Sequence, residues 1–238
     1  MNNTSVRVGI IGAMDIEVTQ LCEALEGVQE EHCLGMTFYT GTLDGVDVVA
    51  VQCGVGKVNA ALCAGVLVTI FDVTHVINTG VAGALDARID IGDIVVSTDA
   101  VQHDMDCTPL GYAAGRIPLM DNSVFCADED LSLEAVYAVR KVAPTVSVYQ
   151  GRIASGDQFV ASAEQKERIV SQFGAMCGEM EGAAIAHACH LAKVPFVIIR
   201  SISDKADGAA TMDYPTLKIE AAARSAAVVE YMVGHLGQ

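Results

Sequence analysis

The spacing of hydrophobic and polar positions changes repeatedly along the chain and marks out alternating strands and helices. The apolar run "VRVGIIGA" gives way to helical spacing from about residue 15. "MTFYTGTL" and "VDVVAVQCG", joined through Asp44-Gly45, read as a hairpin, because a DG pair between two apolar runs is the strongest short-range signal for one. A helix is predicted from Val58, followed by the strands "HVINTG" and "DIVVST" and an irregular segment over about 101–126. After these come a helix at about 128–142, the strand "VSVYQGRIAS", a helix at about 161–173, the strand "AMCGEME", a helix at 183–192, the strand "PFVIIRSIS" and a closing helix at about 213–235. Strands that are apolar on both faces and alternate with helices indicate a sheet covered on both sides. The expected fold class is α/β, with three α/β/α layers around a central mixed, twisted sheet. With no repeat, low-complexity segment or Pro/Gly-rich linker, residues 1–238 read as a single domain.

Composition narrows the function more than the fold. Hydrophobic residues make up 52% of the chain and charged residues 18%, enough for a large core. A net charge of −16 argues against nucleic acid or an anionic membrane as partner, since both call for a cationic face. The mean hydropathy of +0.39 is not that of a membrane protein, because runs such as "GVLVTIF" fall far short of the roughly 20 residues that cross a bilayer. No secretory signal is evident at the start, and eight scattered cysteines without C-x-x-C pairs read as free, packed thiols, so the expected location is cytoplasmic.

The glycine-rich stretches do not make a familiar nucleotide site. "GIIGAM" lacks the G-x-G-x-x-G order, "VQCGVGKV" lacks the first glycine and the Ser/Thr of a P-loop, and no G-x-S-x-G elbow is present. "HACH" (His187 to His190) and "HDMD" (His103 to Asp106) have residue types that bind metals. Packed side chains explain the first better, and turn capping with an interface role explains the second. No metal or organic cofactor is implied. In open α/β sheets ligands bind at the carboxyl ends of strands. There the chain places "GAMDIE", "CGVGKVNA", "NTGVAGA", "SGDQF" and "ISDKADG", and with them three acids: Glu17, Glu181 and Asp204. Several carboxylates at one sheet edge without a Lys or Arg cluster suit a cationic transition state, of which glycosidic cleavage is the leading case.

"GIIGAMDIEV", "GVGKVNAA", "INTGVAGAL", "GDIVVS", "HDMDCTPLGY", "SGDQFV", "EMEGAAIAHACH" and "VPFVIIRSISDKAD" together resemble, in order and spacing, the 5′-methylthioadenosine/S-adenosylhomocysteine nucleosidases of the nucleoside phosphorylase superfamily. The resemblance runs from about residue 6 to 235. It implies a nucleoside phosphorylase-like fold and hydrolysis of adenine nucleoside thioethers. Glu17 would activate the attacking water, and Asp204 would donate a proton to N7 of adenine, which requires a carboxyl kept protonated by apolar surroundings. Lys205 would oppose that if it turned inward. Glu181 would accept the ribose 2′- and 3′-hydroxyls, Met180 would meet the sugar face, Phe159 would stack on the purine and the Val160 backbone would read its edge. Met14, Val55, Val81 and Ser203 would line the same pocket. Met180 should point away from Glu179 and Glu181 in a regular strand, so the resemblance calls for a strand end or bulge there. Glu179 is assigned a structural role. Leu110 of "CTPLGY" and Pro118 match the part that a neighbouring subunit contributes to the 5′-alkylthio pocket, which implies a homodimer.

Two departures matter. Val81 stands where some relatives carry Ser, and Leu110 where a Phe sometimes stands. The first takes away a hydroxyl contact to the water; the second leaves the 5′ pocket more open, with S-adenosylhomocysteine, 5′-deoxyadenosine and aminofutalosine expected as further substrates. The rival on the same fold is a phosphorylase, but Asn78 and Val81 offer neither the cation nor the hydroxyl that would hold phosphate. Arg200, just before "SISD", reads as support for the acid. A non-catalytic nucleoside binder is the rival from another class, and retention of all three acids weighs against it.

Overall fold

The computed structural model describes residues 6–206 and 214–236. Among the described residues, ten strands join in one mixed sheet. Its middle is β1 (Arg7–Gly12), with parallel neighbours β4 (Val46–Gln52) and β5 (His75–Ala84). These strands are almost wholly buried, as expected for parallel strands covered on both faces. On the β4 side the sheet continues antiparallel through β3 (Met36–Leu43) to β2 (Glu26–Cys33). On the β5 side, β10 (Phe196–Asp204) pairs parallel with β5 and antiparallel with β6 (Ile94–Gln102). From β6 the pairing passes through β8 (Val148–Ser155) and the short β9 (Cys177–Glu179) back to β5. Five strands therefore curl into a ring, with β7 (Val124–Cys126) added outside β6.

Helices cover both faces. Residues of α2 (Lys57–Thr69) and α5 (Gly182–Ala192) enter one core with Ile11, Phe38 and Ile198. Residues of α3 (Glu129–Val142) and α6 (Tyr214–Leu236) enter another, as does Leu21 of α1 (Asp15–Ala24), with Val8, Ile10 and Ile199. Neighbours in β1 and β10 thus serve opposite cores, the two-residue period of a strand made visible. A third, smaller core lies under α4 (Ala163–Phe173).

The predicted elements recur with few changes. Asp44 and Gly45 both have positive φ (49° and 81°), the geometry of a type I′ hairpin turn. Strand β2 was not foreseen: "EGVQEEHC" has no apolar face, only Cys33 is even partly covered, and its turn to β3 uses Leu34-Gly35 in place of Asn/Asp-Gly. The segment expected to be irregular over 101–126 keeps β6 as far as Gln102 and holds a 3₁₀ turn at Thr108–Leu110 and β7. The strand over "AMCGEME" stops at Glu179. The closing helix is described from Tyr214, and residue 213, like Asp207 and Gly208 of "ISDKADG", lies outside the described residues.

Candidate active site

The carboxyl ends of β1, β5, β9 and β10 surround a pocket of about 220 Å³. Ten of the twelve expected site residues line it: Met14, Glu17, Val55, Val81, Phe159, Val160, Met180, Glu181, Ser203 and Asp204. The other two, Leu110 and Pro118, do not. Leu110 is 75% exposed and Pro118 half-buried on the long segment between β6 and β7. Phe159 and Val55 are half-exposed at the rim, so the pocket opens beside them; core packing does not explain Phe159.

Glu17 reaches the pocket because α1 lacks an ordinary cap. Its N-cap residue is Met14, with no side-chain oxygen to offer, and the carboxylate of Glu17 turns back to serve the free backbone donors. Oε2 accepts from Ala13 N (2.8 Å) and Met14 N (2.9 Å), and Oε1 accepts from Val81 N (3.1 Å). A Cβ on Gly80 would lie 2.7 Å from Oε1, which explains the glycine.

The acidic pair of "GEMEG" is resolved by where β9 ends. After Glu179 the chain leaves the strand, and Glu181 occupies the N-cap position of α5 with φ −131° and ψ −40°. Strict alternation stops there, and Glu179, Met180 and Glu181 all line the pocket, which is the irregularity the sequence called for. The two acids have opposite surroundings. Glu179 accepts from Arg200 Nη2 (2.5 Å), Gly182 N (2.7 Å), Glu181 N (3.1 Å) and the Ser155 hydroxyl. Burial pushes its carboxyl up, but the Arg200 guanidinium and the hydrogen bonds from Ser155 and Gly182 together hold it below the ordinary range. Glu181 accepts from Gly56 N at 2.7 Å. Burial, reinforced by the negative charge of Glu179, pushes its carboxyl up to about 7.

Arg200 does not support Asp204 as expected. Its Nη2 donates to Asn78 Oδ1 (2.5 Å) and to Glu179, fully buried behind the pocket. The proximity in sequence misled because four strand positions, at about 3.3 Å each, separate the two residues by roughly 13 Å along β10. Asp204 is oriented instead by Ser203 Oγ, which donates to Oδ2 at 3.0 Å, and by Ala206 N, which donates to Oδ1 at 2.8 Å. Lys205 turns outward to Ile89 O and Asp90 Oδ1, both at 2.6 Å.

The metal-like motifs are absorbed by packing. His187 stacks on Phe125 with ring centroids 4.6 Å apart, and Cys189 is fully buried. In "HDMD", Asp104 pairs with Lys57 (2.6 Å) and accepts from Asp157 N (2.9 Å), while Asp106 caps Thr108 N (2.9 Å). Gln158, Ala13, Ala82 and Gly83 also line the pocket and were not singled out. The contact of Gly56 N–H with Glu181 had one legible trace: a glycine at φ 98°, just before a helix, in "GVGK".

Residues 7–234 match the family model described as the Phosphorylase superfamily. Fold, pocket position and match agree: the chain belongs to that superfamily. A 5′-methylthioadenosine/S-adenosylhomocysteine nucleosidase from Treponema pallidum is 42% identical over 92% of this chain and 89% of its own length. The structure of one from Neisseria meningitidis in complex with methylthio-immucillin-A superposes with a TM-score of 0.92 at 39% identity, covering 96% of this chain and 99% of that one. One from Colwellia psychrerythraea in complex with adenine gives 0.93 at 40% identity, covering 99% and 98%. Within the superfamily the chain belongs to this 5′-methylthioadenosine/S-adenosylhomocysteine nucleosidase family.

Proposed function

We propose that the protein hydrolyses the N-glycosidic bond of 5′-methylthioadenosine and S-adenosylhomocysteine, releasing adenine and the 5′-alkylthioribose. The observation that carries this reading is the convergence of Glu17, Glu181 and Asp204 on one pocket, while the nearby guanidinium of Arg200 is engaged by Glu179 and Asn78. As the bond from the anomeric carbon to N9 breaks, the sugar gains oxocarbenium character and the purine takes the electron pair. Asp204, aimed by Ser203 and the Ala206 amide, delivers a proton to N7, so adenine leaves neutral. Glu17, fixed by three backbone donors, takes a proton from the water that attacks the anomeric carbon. Glu181 accepts the two ribose hydroxyls, Met180 meets the sugar, and Phe159 stacks on the purine beside the Val160 backbone. Met14, Val55 and Val81 line the remaining walls. No step calls for a metal or cofactor.

Water is favoured over phosphate because Arg200 is already bound to a carboxylate and Val81 brings no hydroxyl. A homodimer belongs to the same reading. Val58 and Leu62 lie exposed one turn apart on α2, next to rim residue Val55, and Leu110 and Leu119 are exposed on the β6–β7 segment. A second copy covering them would bring Leu110 and Pro118 to the open 5′ end. Eight free cysteines fit the reducing cytoplasm, and among the described residues no helix is long and apolar enough to cross a membrane.

The test is chromatographic detection of adenine and sugar products from 5′-methylthioadenosine, with and without phosphate. Free methylthioribose in both buffers is expected. A sugar 1-phosphate formed only with phosphate would make the protein a phosphorylase. Glu17→Gln and Asp204→Asn should each lower turnover by about 10²-fold or more, the usual worth of a positioned base or acid. The same assay with S-adenosylhomocysteine, 5′-deoxyadenosine and aminofutalosine measures the breadth of the 5′ pocket.

A further inference from the structure

The turn that carries Asp204 is held from outside its own strand. The ladder between β10 and β5 shifts register between Ile202 and Asp204. Two residues on, Ala206 has φ 51°, a left-handed conformation unfavourable for a residue with a Cβ. The same Ala206 N–H orients the Asp204 carboxylate, so the acid's aim depends on a backbone conformation that would not persist unaided. One fastening is Lys205 on the carbonyl of Ile89. The other comes from a different element: Lys166, in the first turn of α4, donates to Lys205 O at 2.6 Å and to Ala84 O at 2.8 Å. One ammonium thus joins the end of β10 to the end of β5 through two charge-assisted bonds to strand-end carbonyls. Helix α4 starts at the Ser162 cap, whose Oγ accepts from Gln165 N, and the loop just before it carries Phe159 and Val160.

We propose that Lys166 is a positioning residue for the reaction. Its ammonium fixes the Asp204 turn against α4, and through α4 against the loop that holds the purine, so the proton donor and N7 are set in one frame. The proposal rests on the reading of Asp204 as the acid. Lys166→Met keeps the stem but removes these two bonds, loosening the turn, which then keeps only the Lys205 fastening, and letting the carboxyl move from its line to the purine. A misplacement of about 1 Å at a reacting group costs on the order of 10²-fold.

The experiment is a double-mutant cycle on adenine release from 5′-methylthioadenosine. Lys166→Met should lower kcat by roughly 10- to 100-fold with KM little changed. In an Asp204→Asn background the same substitution should cause no further loss, because the group it aims is gone. Lys166→Arg, which keeps a cationic donor, should restore part of the rate. Should the methionine variant fail to fold, Lys166→Gln, which removes the charge and shortens the side chain, takes its place in the cycle. Equal fractional losses in both backgrounds would reduce Lys166 to a structural residue and overturn the proposal. A normal kcat in Lys166→Met beside a crippled Asp204→Asn would overturn it too. Normal turnover in Asp204→Asn alone would overturn the functional reading on which the proposal rests.

Discussion

Glu179 and Glu181 stand two residues apart and differ in charge behaviour because only one has a cation. Arg200 keeps Glu179 ionised, and that fixed charge helps burial push Glu181 up to about 7, from an ordinary value of 4.5. Between those values the folded chain holds a proton that the unfolded chain has lost. Glu181 therefore contributes stability that is fully present below about 4.5 and is lost as pH rises through about 7. Ligand binding runs the other way, since ribose hydroxyls donate best to the ionised form. A non-hydrolysable adenine nucleoside thioether should bind more tightly as pH rises through about 7, read by titration calorimetry. Glu181→Gln should flatten that profile and weaken binding above it by on the order of 10-fold or more, the worth of a hydrogen bond to a charged group. A flat profile in the wild-type protein would exclude the ionised-acceptor role. The resemblance divided their roles, but the sequence held no sign of this difference in charge. Their difference depends on Arg200, 21 and 19 positions away and brought up by the pairing of both β10 and β9 with β5.

At the scale of elements, strand ends matter more than strand interiors. The interiors were legible because continuous apolar runs between helical patterns have few other meanings. Strand β2 was not, because a wholly polar edge strand gives no hydrophobic period to read. The ends carry close contacts that glycine alone allows. A Cβ at Gly83 would sit 2.8 Å from Asp204 Oδ1 and 3.0 Å from Ala206 Cβ, so Gly83→Ala must displace the acid or its turn. We expect kcat to fall by roughly 10- to 100-fold in a protein that still folds, checked by steady-state kinetics beside a thermal melt. Arg200→Met tests the neighbouring ends in another currency. It leaves the Glu179 carboxylate buried without its counter-ion, and losing one partner of a buried pair costs about 3–5 kcal/mol. Urea denaturation should show that loss, and Glu179→Gln added to Arg200→Met should recover part of it. No loss in the single variant would mean that water or another group neutralises Glu179.

For the whole molecule, the site exists only once the sheet has closed. Glu17 follows β1, Glu181 follows β9 and Asp204 ends β10, so no local segment holds more than one of the three acids. The resemblance could place them because it covered the chain, whereas composition and spacing alone reached no further than acids at strand ends. The proposed second copy rests on exposed apolar surface: Val58, Leu62 and Leu110, with Leu119 at 99% exposure. Two copies of net charge −16 repel one another, and burial of such surface between them would offset that repulsion. Light scattering after size exclusion should therefore give twice the chain mass at micromolar concentration. Leu110→Asp combined with Leu119→Asp should shift it toward the single chain, because a carboxylate in an apolar interface is costly to desolvate. If the second copy completes the 5′ end, the same double variant should lose kcat/KM for 5′-methylthioadenosine far more than for adenosine, which has no alkylthio group to seat. A monomer with unchanged preference would mean that each chain builds its pocket alone and that Leu110 and Pro118 take no part in it.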